Sequence, residues 1–325
     1  RSRGLGDVYK RQGLRIRNAK RTSILIFSFF FLMINILFME STHASTIYTF
    51  SNASSTGNTG PTQAQVTSAY SATNLNGLVS VTVQGLQIFT VPNTGYYSFE
   101  LAGAKGGNGG ATGGAGAKFS TNNINLTQNE TLTIGVGQIG IATTDGTGAG
   151  GGGASWVYRN SNSTLIAVAG GGGGGGISGY SNTKQNAQND SSGNGQGGLA
   201  GNTQIANGGT SGNGGHIGSN TCGLGGAGWS GDGNASGDSG CLRAGSASSK
   251  KLSGTAIGGT ADSGTGAGGN GGFGGGGGGA GYCGYGGGGG GYSGGGGGSF
   301  SGFCGGAGGA GGSYSNNGFN WIGTN

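Results

Sequence analysis

Period-two patterns fill the chain from Ser45 to Gly170. In LVSVTV, Val79, Val81 and Val83 share one face, with Ser80 and Thr82 on the other. YYSFELA sets Tyr97, Phe99 and Leu101 against Tyr96, Ser98 and Glu100, and TLTIGV alternates likewise through Leu132, Ile134 and Val136. Such alternation predicts strands with one buried face. LQIFTV (86–91), GASWVYR (153–159) and STLIAVAG (163–170) are further strand candidates. Turn formers separate them: Gln84-Gly85, Pro92-Asn93-Thr94-Gly95 and Thr127-Gln128-Asn129. Short antiparallel strands at this spacing predict a β-sandwich. One helix is expected, in GPTQAQVTSAY (60–70), with Pro61 in its first turn.

Beyond residue 170 the pattern stops. Residues 45–170 hold 22 Ile, Leu or Val among 126, whereas residues 171–325 hold nine among 155, too few for an aliphatic core. Uninterrupted runs take over: Gly170–Gly176, Gly274–Gly279, Gly286–Gly291 and Gly294–Gly298. With no Gly-X-Y register and only two prolines, the chain is not collagen. Ordering a residue costs roughly 1–2 kcal/mol of backbone entropy, and glycine costs the most. A flexible tail is therefore the simplest reading of such a composition. The alternative is a bundle of extended helices with three residues per turn, of the polyglycine-II type, whose outward N–H and C=O groups bond laterally.

Two features favour order. Phe273, Tyr282, Tyr285, Tyr292, Phe300 and Phe303 punctuate the runs and could serve as apolar edges against a sandwich. Four cysteines, Cys222, Cys241, Cys283 and Cys304, all lie in this half. An even count in a secreted chain implies disulfides. Of the three possible pairings, the sequence-local one is expected, Cys222–Cys241 with Cys283–Cys304.

The N-terminal residues carry other information. Leu5–Gln12, LGDVYKRQ, back-translates to a sequence resembling a transposase sequencing adaptor, so residues 1–12 are read as an adaptor artefact. That origin leads us to expect a chain cut short at its C-terminus. Residues 13–44 read as a signal peptide. Arg15, Arg17, Lys20 and Arg21 precede an apolar run of 16 residues from Ile24 to Met39, and Thr42-His43-Ala44 offers a cleavage site. A spanning helix needs about 20 apolar residues. Residues 1–44 hold eight of the 15 Lys/Arg and two of the nine Asp/Glu, which leaves seven of each in residues 45–325. The formal charge of +6 therefore belongs to the leader, and nucleic acid is not an expected partner.

The order of segments resembles the extracellular glycine-rich domain of anaplastic lymphoma kinase and leukocyte tyrosine kinase and its secreted relatives. The matching pieces are GPTQAQVTSAY, GLQIFTVPNTGYYSFELAGAKGG, NLTQNETLTIGVGQIG, GAGGGGASWVYR, STLIAVAGGGGGGG and GGFGGGGGGAGYCGYGGGGGGYSGG. They span residues 48 to 300 in family order. The resemblance implies a jelly-roll-like antiparallel β-sandwich, mainly in residues 45–170, joined to a disulfide-linked bundle of polyglycine-II helices, mainly in residues 171–312. In the animal receptors this region binds a protein ligand and drives receptor pairing. The departures bear on function. H-R-D, D-F-G and Val-Ala-Ile-Lys do not occur, so kinase activity would need a domain beyond Asn325. The acidic residues that receptors present to basic ligands cannot be matched here.

No catalytic constellation emerges. With 90 glycines, G-x-G-x-x-G arises by chance, and Ala115-Gly116-Ala117-Lys118-Phe119 lacks the Gly-Lys-Ser/Thr of a phosphate loop. Gly291-Tyr292-Ser293-Gly294-Gly295 fits G-x-S-x-G, but a nucleophile needs a base and His216 is the only histidine beyond residue 44. Asp232, Asn234, Ser236 and Asp238 begin like a weak calcium loop, with Arg243 where a bidentate Glu belongs. Long Cys spacings and scarce His argue against zinc. Arg159 and Arg243 are too few for Arg-Gly-Gly RNA binding. Asn52, Asn125, Asn129, Asn162, Asn189 and Asn234 stand in glycosylation sequons, which matter only in a eukaryote.

The expected function is non-catalytic recognition, by a secreted or surface-displayed module needing no cofactor. Its ligand would be an extracellular protein or glycan, with self-association a further option and no membrane insertion after leader cleavage. The alternatives are the ectodomain of a receptor tyrosine kinase-like protein and a structural or adhesive matrix protein.

Overall fold

The computed structural model describes residues 45–143, 147–178, 183–200, 203–217, 222–235, 248–261, 268–281, 284–299 and 305–325. The adaptor and leader readings lie outside these residues. Tyr48–Asn325 forms one contact unit, mainly β, with one α-helix among the described residues.

The helix, α1 (Gln63–Tyr70), is short and starts where its cap dictates. The Thr62 side chain accepts from the Gln65 N–H, and the Gln65 side chain accepts from the Thr62 N–H. This reciprocal box satisfies two otherwise orphaned donors. Pro61 precedes the cap rather than entering the first turn, which corrects the expectation for it. Val66 and Tyr70 turn inward, and the Tyr70 hydroxyl donates to Gln87 Oε1 at 2.7 Å. Gln87 Nε2 donates to the Ser51 carbonyl, so the fully buried amide is satisfied.

The strands are β1 (Val79–Ser80), β2 (Leu86–Thr90), β3 (Gly95–Ala102), β4 (Ala117–Leu126), β5 (Thr131–Gly135), β6 (Ser155–Arg159), β7 (Thr164–Ala169), β8 (Gly198–Ala200), β9 (Thr203–Ala206), β10 (Tyr314–Ser315) and β11 (Asn320–Thr324). A six-stranded sheet runs β1-β2-β5-β6-β7-β10, a three-stranded sheet runs β11-β4-β3, and β8 pairs with β9 alone. Every pairing is antiparallel. Phe89, Val91, Leu101, Phe119, Ile124, Leu126, Leu132, Ile134, Val157 and Ile166 form one core with α1.

The six segments with strand patterns all contain strands, but the first is cut short. Val79 pairs with Phe89, whereas Val83 accepts the turn bond from Leu86 N–H and is 45% exposed. Strand β4 carries no readable pattern. Ala117, Phe119 and Thr121 point inward, then the buried set shifts to Ile124 and Leu126. The shift is a bulge at Asn122-Asn123, with Asn123 at φ 60°. Asn317 Nδ2 donates to the freed Asn122 and Asn123 carbonyls. Strands β10 and β11 come from the end of the glycine-rich half and extend both sheets. Phe319 stacks on the fully buried Phe119, ring centroids 4.2 Å apart.

The glycine runs are neither α-helix nor strand, yet they are bonded. The amides of Gly286 to Gly291 donate in turn to the carbonyls of Gly306, Ala149, Leu224, Gly309, Gly152 and Ala227, at 2.8–3.1 Å. Every third amide thus returns to the same neighbouring segment. The carbonyls of residues 286 to 290 accept from Gly298, Gly174, Gly277, Gly295 and Gly171. Six segments surround this one. The run from Gly170 repeats the rhythm. Gly172 and Gly175 donate to Ala104 and Gly107, while Gly171 and Gly174 donate to Gly290 and Gly287. A Cβ built on Gly288 would stand 2.1 Å from the Gly295 oxygen, so no side chain fits between the segments.

Candidate functional site

The outer face of the six-stranded sheet is where the glycine segments meet the sandwich. Trp156 on β6 is in register with Val168 on β7 and with Gly135 on β5, and Val168 is in register with Tyr314 on β10. Gly135 must lack a side chain, because a Cβ there would lie 2.2 Å from the Trp156 ring. Trp156, Val168, Phe273, Leu252 and Ala256 are buried together as a second apolar cluster, with the Trp156 and Phe273 rings 5.9 Å apart. Phe273 thus acts as one of the expected apolar edges. Tyr285 is also buried, while Tyr282, Phe300 and Phe303 lie outside the described residues.

Around this cluster runs a seam of aromatic side chains that stay partly exposed. Tyr158, Leu165, Trp229 and Tyr292 pack against it. The Tyr158 and Trp229 rings are 5.4 Å apart, and Tyr292 stacks on Tyr314 at 4.5 Å. The Trp229 N–H donates to the Tyr292 carbonyl at 2.7 Å, which joins the two ring pairs through backbone. The hydroxyls of Tyr158, Tyr292 and Tyr314 and the indole N–H of Trp229 have no hydrogen-bond partner among the described residues. Four of the flanking charges are paired, Arg159 with Glu130 at 2.7 Å and Lys250 with Asp232 at 3.2 Å. Lys251 is exposed beside Leu252. The seam therefore offers neutral rings whose polar tips have no partner among the described residues, a combination suited to contact surfaces.

The chain matches no family model and no curated protein at significance.

The residues singled out from sequence are scattered. Asp232 Oδ1 accepts from the Lys251 N–H while Oδ2 faces the Lys250 ammonium. Asn234 Nδ2 lies 3.4 Å from His216 Nδ1. Ser236 and Asp238, the rest of the candidate calcium loop, lie outside the described residues, as does Arg243. No group of three potential metal ligands occurs among the described residues. Ser293 is fully buried and its Oγ accepts from the Gly212 N–H at 3.1 Å, while His216 is exposed beside Asn234. The G-x-S-x-G match lies within the glycine lattice. Of the cysteines, Cys222 is described and is not free, whereas Cys241, Cys283 and Cys304 lie outside the described residues. No helix among the described residues is long and apolar enough to cross a membrane.

Sequence reasoning named Tyr292 only as an apolar edge and missed Tyr158, Trp229 and Tyr314 as a group. The available signal was weak: Trp229 stands alone in a glycine-rich loop, an unusual place for a large ring.

Proposed function

We propose that residues 45–325 are a non-catalytic recognition module, secreted or displayed on a surface, whose contact surface is the aromatic seam. The observation that carries this reading is that Tyr158 with Trp229 and Tyr292 with Tyr314, from four segments, form two partly exposed ring pairs joined by the Trp229–Tyr292 backbone bond, their polar tips unpartnered among the described residues. Tyr and Trp at a junction provide large contact area at low conformational cost and are enriched where binding energy concentrates.

The finer architecture fits the same proposal. Amide partners that recur every third residue along Gly286–Gly291 are what threefold polyglycine-II helices in lateral contact would produce. The β2–β5 pair encloses the β3–β4 pair across two sheets, the nesting of a jelly-roll-like sandwich. Disulfides Cys222–Cys241 and Cys283–Cys304 would tie the helices. Such a scaffold resembles the glycine-rich region of the receptor kinases named above, where it presents a surface to a ligand.

The test is saturable binding of the oxidised protein to cell surfaces or secreted material, read with the Trp229→Ala variant beside it. Saturation by the parent and loss in a variant of unchanged thermal midpoint is the expected result. Unsaturable adhesion that Trp229→Ala leaves intact would instead make the chain a structural or sticky protein.

A further inference from the structure

We infer that the seam binds a neutral oligosaccharide. This rests on the recognition reading above and names its ligand class. A pyranose ring presents C–H bonds on its faces and hydroxyls around its rim. The faces stack on aromatic rings. The hydroxyls need neutral donors and acceptors, and a phenol supplies both. Tyr158, Tyr292 and Tyr314 offer three phenols unpartnered among the described residues, and Trp229 adds an indole donor.

Charge decides against other occupants. A charged peptide or a nucleic acid requires unpaired opposite charge at the surface. The seam's own members carry none, and Arg159, Glu130, Lys250 and Asp232 on its flanks are paired within the chain. Lys251 is the flanking cation that an anionic glycan could use. A neutral sugar needs no such group, so its binding should not respond to salt. Rigidity adds to the match. Trp229 is held by backbone bonds to Tyr292 and Ser253, and Tyr292 is stacked on Tyr314, so the rings lose little freedom on binding.

The experiment uses the oxidised protein in affinity electrophoresis through gels containing β-glucan, mannan, galactan or sulfated dextran. We expect retardation by at least one neutral polysaccharide, equal at low and high salt. Trp229→Ala should weaken it by about tenfold or more. Tyr96→Ala, at a 77% exposed ring on the outer face of the three-stranded sheet, should leave it unchanged. If Trp229→Ala lowers the thermal midpoint, Tyr158→Phe and Tyr314→Phe remove only hydroxyls and should weaken retardation with the fold intact. Three results overturn the inference: no retardation by any neutral polysaccharide, retardation untouched by the seam variants, or retardation by sulfated dextran alone that Lys251→Ala abolishes. Saturable protein binding through the seam with no polysaccharide retardation sinks the glycan class and leaves the recognition reading standing. Absence of both sinks both.

Discussion

At the scale of single residues, the glycines of the lattice are defined by what surrounds them. At Gly288 a Cβ would meet backbone, the Gly295 carbonyl at 2.1 Å, and backbone cannot rotate away as a side-chain tip can. Gly288→Val should therefore destabilise the fold by at least about 1–3 kcal/mol, the range of overpacking. Gly95→Ala is the matched control, since nothing stands within 4 Å of its Cβ position. It should fall within about ±0.5 kcal/mol in urea unfolding. Gln138 presents the opposite case. Its side-chain Oε1 and Nε2 are buried without a partner among the described residues, a cost that an apolar side chain of similar length avoids. Gln138→Met should raise stability by about 1 kcal/mol in the same titration. A loss of stability would mean that the amide is satisfied in solution. Tyr97 shows burial acting on a titrating group. Desolvation by burial is the largest cause of its raised pKa.

At the scale of elements, the C-terminal strands are the least expected and among the most consequential. Strand β11 pairs with β4 and covers Phe119 with Phe319. Removing that ring opens one side of a fully buried side chain. Phe319→Ala should cost roughly 2 kcal/mol, below the roughly 3–5 kcal/mol of a wholly buried Phe, because Phe319 is itself partly exposed. Thermal unfolding checks the value, and an unchanged midpoint would show that β11 is an ornament on the sheet. GFNWIGTN follows a long glycine stretch and raised no strand expectation, although Phe319 and Trp321 alternate with exposed neighbours as a strand does. Strand β4 was hidden for another reason: its bulge at Asn122-Asn123 moves the buried positions from odd to even numbers, and alternation fails as a signal where the register shifts.

At the scale of the whole molecule, the sandwich and the glycine half share their supports. The Ala104 N–H donates to Gly153, the Ala117 N–H to Gly170, and the Gly170 N–H to Ser313 Oγ, so lattice segments leave the ends of β3 and β7 and lead into the starts of β4 and β6. Backbone bonds buried among six neighbours should open only with large-scale unfolding. Hydrogen exchange on the oxidised protein should therefore find the amides of Gly286–Gly291 about as protected as those of β5. Exchange at the rate of an unstructured peptide would mean that the glycine half is a tail and that recognition sits on the sandwich alone.

The amino-acid sequence by itself determined the alternating strands β2, β3 and β5, the apolar runs that become β6 and β7, and the presence of α1 within GPTQAQVTSAY. In those segments the side chains carry the instruction, since burial of one face sets both the element and its orientation. Sequence also determined that the glycine runs need partners for every N–H and C=O. It did not determine which partners. Glycines are identical to one another, so a run carries no mark that assigns Gly286 to Gly306 and Gly287 to Ala149. That assignment was decided only in three dimensions, by the ends of the strands that feed the lattice and by Phe273 and Tyr292, whose rings lock it against the outer sheet. The seam has the same origin. Tyr158, Trp229, Tyr292 and Tyr314 are spread over 157 positions of sequence, and only the closure of the glycine lattice onto β6, β7 and β10 sets Tyr158 against Trp229 and Tyr292 against Tyr314.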